Sequence, residues 1–170
     1  DMVVWIRHVS KTHNSYISQS DKLVELNARD HQFIPHLLPV MVGQTLKIRN
    51  HDPFMHIALV RPPLGQEMDL LLAPGDEVTW RFTNTEFLPI PVTCSFNPSM
   101  RAYIVVIDNP YIAVSDENGN AQILNLPTGE EFSLHVWHER SGLIAHDAAP
   151  HIRPWHVVIP PTGLLDLGEI

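Results

Sequence analysis

The sequence predicts an all-β chain, an antiparallel sandwich followed by a smaller antiparallel module. Three observations carry that expectation. Fifteen Pro stand against eight Gly in 170 residues, and proline spread along a chain interrupts helices while tolerating strand ends and rigid connections. Apolar residues alternate over short windows instead of recurring at helical spacing. Turn-forming clusters separate those windows at roughly ten-residue intervals, the spacing of sandwich strands.

In chain order the predicted strands are MVVWIRHV, KLVELNA, QTLKIRN, HIALVRP, EVTWRFTN, IPVTCSF, AYIVVID, AQILNL, FSLHVWHE and HVVIP. All are short and rich in β-branched or aromatic residues, which suit a half-buried pleated surface. The clusters VGQ, RPPLG, APGDE, DENGN, LPTGEE and PPTG lie between them and read as turns. In LLAPGDEVTWRF, Pro-Gly-Asp turns the chain. Val78, Trp80 and Phe82 then point to one face, and Thr79 and Arg81 to the other. PLGQEMDLLL, residues 63 to 72, reads as a short helix or a long loop.

Composition changes after Ile107, so residues 1–107 are expected to form the sandwich and 108–170 the smaller module. In the second part Asp116 to Asn120 is a hairpin signal with Asn118-Gly119 at its tip. Pro127-Thr128-Gly129 makes a second turn. The resulting three-strand meander needs a partner surface to be stable.

The formal charge of −8 argues against nucleic acid, whose phosphates reward clustered Lys and Arg. No apolar run approaches the roughly 18 residues a membrane helix needs. The chain opens at DMVVWI without an initiator Met, which fits a processed N-terminus with any signal peptide removed. Nothing resembles a nucleophile elbow such as GxSxG, Gly-rich phosphate loops are missing, and no catalytic residue stands out.

Cys94 is the only cysteine and cannot form an internal disulfide. It lies in CSFNPSM, six residues before Met100, in a chain with eleven histidines. Thiolate, thioether and imidazole are the donors of soft metal sites. A tight loop carrying Cys94 and Met100 presents both to one point, and NHDPFMHI supplies His56 as the best third donor, with His51 as a replacement. The competing reading from residues alone is structural: a buried Cys behaves as a small hydrophobe and Met100 as core. His51 then belongs to a surface turn, and His36 packs in the FIPH turn.

KIRNHDPFMH followed by PVTCSFNPSMRAYIVVID resembles the cupredoxin family of blue copper proteins. The loop aligns without gaps on the short Cys-x-x-His-x-x-Met form of amicyanin-like members. The run from FIPH to VWHE is similar to extracytoplasmic bacterial cupredoxin-like proteins that carry a transthyretin-like or carboxypeptidase-regulatory-like β-module; the resemblance covers about residues 22–142. It implies a Greek-key sandwich, one copper ion, a periplasmic or extracellular location, and a redox or copper-donor protein as partner. Carried over by position, it makes His56, Cys94 and Met100 metal ligands and puts Asn97 where the family has its second histidine. That departure removes an imidazole and opens a coordination position. The implied function is electron transfer or copper handling at an altered site; the alternative is a metal-free binding or structural module.

The remaining histidines are less telling. HVWHE is not the HExxH of metalloproteases, and on a strand His135 and His138 face opposite ways, with Glu139 beside them. The spacing of His146, His151 and His156 leaves two readings, a second site or a cap on an open end of the sandwich.

Overall fold

A computed structural model describes residues 1–19, 22–145 and 154–169. Among these the chain is all-β, as expected, apart from a 3-10 turn at Asn14–Gln19. The strands are β1 (Met2–Arg7), β2 (Val24–Arg29), β3 (Gln32–Ile34), β4 (Leu37–Met41), β5 (Thr45–Asn50), β6 (His56–Val60) and β7 (Met68–Leu72). They continue with β8 (Glu77–Arg81), β9 (Ile90–Cys94), β10 (Arg101–Ile107), β11 (Ile112–Val114), β12 (Glu131–His138), β13 (Gly142–Leu143) and β14 (Trp155–Val158). No helix among the described residues is long and apolar enough to cross a membrane.

Two compact units divide the chain: Ser18–Asp108, and Asp1–Ile17 together with Asn109–Ile170. In the first, two sheets with strand orders β3-β2-β5-β8 and β4-β10-β9-β6-β7 enclose one core. One sheet contributes Leu26, Leu46 and Ile48; the other contributes Val60, Leu72, Ile90, Val92 and Ile104. The alternation of TLKIRN explains the geometry of β5: Leu46, Ile48 and Asn50 are buried while Lys47 turns outward between Glu25 and Glu77. Each fully buried Leu or Ile contributes about 1.5–3 kcal/mol relative to an exposed one. Val78, Trp80 and Phe82 pack against this core, and Thr79 and Arg81 are exposed, as the alternation predicts.

Pairing is not wholly antiparallel. β2 runs parallel to β5, and β4 parallel to β10. Crossing connections between the two sheets bring strands of the same direction side by side, which strand-by-strand patterning does not reveal. Residues 68–72 form β7 rather than helix, because antiparallel pairing with β6 overrides the helical preference of Met and Leu.

In the other unit β1 lies between β11 and β12, pairing Trp5 with Ile112 on one side and His135 on the other. The sequence reading grouped β1 within residues 1–107; its pairing is instead with strands after residue 108. MVVWIR carries no turn signal and is buried along its middle, the pattern of a central strand. AQILNL forms no strand, so the expected meander is replaced by this insertion. The Asp116–Asn120 turn does form: the Asp116 N–H donates to Asn120 O at 2.9 Å, and Gly119 takes the positive φ of 85° that its place at the tip requires. Its core is Val4, Ile6, Tyr111, Phe132, Leu134, Val136, Val157 and Ile159.

Candidate metal centre

Strand register brings the predicted donors to one end of the β4-β10-β9-β6-β7 sheet. Ala58 faces Cys94 across the β6–β9 ladder. Residues two apart on a strand share a face, so His56 lies on the inward face beside Cys94. The next hairpin closes when the Cys94 N–H donates to Met100 O at 3.3 Å. His56, Cys94 and Met100 are all buried, at 2%, 2% and 1% exposure, and Met100 and Cys94 share the core cluster.

His56 Nδ1 lies 3.5 Å from Cys94 Sγ, and the other ring nitrogen, Nε2, lies 2.9 Å from Asp52 Oδ2. An ionised carboxylate only accepts hydrogen bonds, so Nε2 carries a proton, and Nδ1 faces the sulfur. Asp52 is itself buried and also accepts from the Asp30 N–H at 2.7 Å and the His31 N–H at 3.3 Å. Burial alone pushes its carboxyl up, but the bonds from His56, Asp30 and His31 outweigh this and hold it below its usual range.

Asn50, fully buried, sets the loop before His56. Its Nδ2 lies within 2.8–3.1 Å of the carbonyls of Phe54, Leu72 and Ala73, and its Oδ1 accepts from the Asp52 N–H at 2.9 Å. Phe54 is packed between two imidazoles, stacked on His31 at 4.6 Å and edge-on to His56 at 5.1 Å.

The other predicted residues are placed as follows. Asn97 is half-buried; its Oδ1 accepts from the Ser99 N–H at 3.2 Å and the Ser99 hydroxyl at 2.6 Å, while its carbonyl accepts from the Met100 N–H at 2.9 Å. It therefore shapes the Cys94–Met100 loop. His51 directs Nε2 to Asn27 Oδ1 at 2.7 Å. His36 packs edge-on to Tyr103 and bonds Arg101 O at 3.0 Å. His138 Nδ1 accepts from the Arg140 N–H, and exposed His156 pairs with Glu131 at 3.1 Å. His146 and His151 lie outside the described residues. Among the described residues no three His, Cys, Asp or Glu side chains converge as a metal group.

Asp52, His56 and Cys94 also follow the acid–imidazole–thiol order of a cysteine nucleophile. With both thiol and imidazole 2% exposed, a substrate carbonyl has no approach to the sulfur. Metal ligation needs only an ion-sized entry, and the soft donors present (thiol, imidazole, nearby thioether) suit copper.

Sequence reasoning missed Asp52. Its signal was a carboxylate four residues before a histidine inside a turn, but Asp30 and His31, which give it meaning, lie in the β2–β3 turn, distant in sequence.

No family model matches the chain, and no curated protein matches it either. Among solved structures, a copper-containing nitrite reductase from Thermus scotoductus SA-01 aligns with TM-score 0.47 and 24% identity, over 52% of this chain and 23% of that one. A Cu(I) amicyanin mutant aligns with TM-score 0.45 and 18% identity, over 61% of this chain and 98% of that one. A purple cupredoxin from Nitrosopumilus maritimus aligns with TM-score 0.42 and 19% identity, over 49% and 99%. This chain thus spans less than a quarter of the reductase.

Proposed function

We propose that the Ser18–Asp108 unit is a cupredoxin-like copper-binding domain, working in the periplasm or outside the cell, with the second unit as an accompanying transthyretin-like β-module. One observation carries this reading: a buried imidazole whose Nδ1 is aimed at a buried thiol 3.5 Å away, with its far nitrogen anchored on a carboxylate. His56 Nδ1 and the Cys94 thiolate would hold the ion, and Met100 is the thioether at hand in the same core. Bound copper would supply a one-electron couple or a transferable Cu(I). The chain's own residues exclude water, hold Nδ1 of His56 towards the sulfur, and release the Cys94 proton on loading.

Asn97 decides between the two roles. A blue-copper site uses two imidazoles and a thiolate with a weak axial Met, and this centre has one imidazole. Soft thiolate and thioether donors with a single imidazole favour Cu(I), so the reading is copper handling in exchange with a copper-donor protein, ahead of ordinary electron transfer.

The test is metal loading of the purified chain. About one retained copper per chain that is lost in Cys94→Ala supports the reading. A colourless Cu(I) complex assigns handling; an intense thiolate-to-Cu(II) band assigns electron transfer. Copper retention no higher in the wild type than in Cys94→Ala overturns it and leaves a metal-free binding module.

A further inference from the structure

The β2–β3 hairpin turns through Asp30 and His31, at φ 52° and 61°. Two successive positive φ values are what a type I′ turn requires. Such turns favour Asn, Asp and Gly, and Asp and His are among the side chains most often found at positive φ. Both amides of this turn donate to one acceptor, the Asp52 carboxylate, which also accepts from His56 Nε2. Three N–H donors from two separate segments thus converge on two buried oxygens, and a neutral amide at position 52 has only one oxygen to offer them.

We infer that Asp52 is the positioning residue of this centre: its carboxylate fixes His56 as the Nε2–H tautomer, with Nδ1 facing Cys94, and ties that ring to the Asp30–His31 turn. The importance of the tautomer for metal capture rests on the copper reading; the tautomer itself does not. With Nδ1–H instead, the ring would present a proton, not a lone pair, to the sulfur, and would have to rearrange before ligating. The carboxylate therefore sets the donor pair in place before an ion arrives. Outer partners of this kind are worth about 10–100-fold in metal affinity.

Long-range nitrogen–proton correlation spectra of the metal-free full chain report the tautomer directly, with the His56 ring among the eleven histidines identified by its loss in His56→Gln. The expected wild-type spectrum has a protonated Nε2 and an unprotonated Nδ1. In the near-isosteric Asp52→Asn the Nε2–H pattern gives way to the Nδ1–H form or a mixture, and copper retention falls about 10–100-fold. A wild-type spectrum with Nδ1–H, or an unchanged single Nε2–H tautomer in folded Asp52→Asn, overturns the inference. The wild-type spectrum decides even if Asp52→Asn fails to fold. Wild-type protein with the expected tautomer and no retained copper upholds Asp52's role and removes the copper reading alone.

Discussion

Ala58 lies directly opposite Cys94 in the β6–β9 ladder, with no exposed surface. That pairing puts His56 and the thiol on one face, and it leaves no room for a larger residue. Ala58→Leu is expected to destabilise the chain by about 1–3 kcal/mol through overpacking and to separate Sγ from Nδ1. Urea unfolding and copper retention measured on the same preparation check both effects.

Asn50→Ala leaves the carbonyls of Phe54, Leu72 and Ala73 and the Asp52 N–H without this partner. A loss of about 2–4 kcal/mol is expected, read as a lower urea midpoint. Because Asn50 touches neither donor atom, its metal-free destabilisation should exceed that of Cys94→Ala, which removes one small atom for about 1 kcal/mol.

Asn97→His restores the imidazole that the loop spelling lacks. The Ser99 contacts of Asn97 are lost, costing about 0.5–1 kcal/mol, while tighter Cu(II) binding with a stronger thiolate-to-copper absorption is expected. Titration with Cu(II) under a visible spectrometer distinguishes this from an unchanged spectrum, which would mean the loop cannot bring the ring to the ion.

The His135 ring stacks on Trp5 at 5.2 Å, and its pKa is pushed down to about 4, first by burial and then by the charges of Arg7 and His8. The unfolded chain takes up this proton near the ordinary value of 6.5 and the folded one only near 4, so between those values acid favours unfolding. This contribution is fully present above about pH 6.5 and is lost as pH falls towards about 4, to a total of about 3 kcal/mol at most. In His135→Gln the fall in urea midpoint between about pH 7 and about pH 5 should be shallower than in the wild type. An equal slope would mean other groups govern acid sensitivity.

Much of the first unit was readable from the chain. QTLKIRN and EVTWRFTN have the period-two alternation that one buried face demands, and both are strands where the pattern puts them. QFI was too short to register, MDLLL has the residues of a helix, and AQILNL has the residues of a strand without a partner to pair with. The closeness of Cys94 and Met100 was readable because loop spacing is local. Asp52 was not, since its carboxylate means nothing until Asp30 and His31 arrive from 22 and 21 residues away.

The place of β1 between β11 and β12 has a consequence for biosynthesis. Met2 pairs with His138, so β1 must wait for a strand that is made long after it. During that wait MVVWIR offers two bare edges and a row of apolar side chains, a template for pairing with a neighbouring chain. The contiguous stretch Ser18–Asp108 can close meanwhile, domains generally folding as units during synthesis. The order of completion is thus from the contiguous unit to the one built from both of its flanks, and a nascent-chain holdase would find its natural footing on β1.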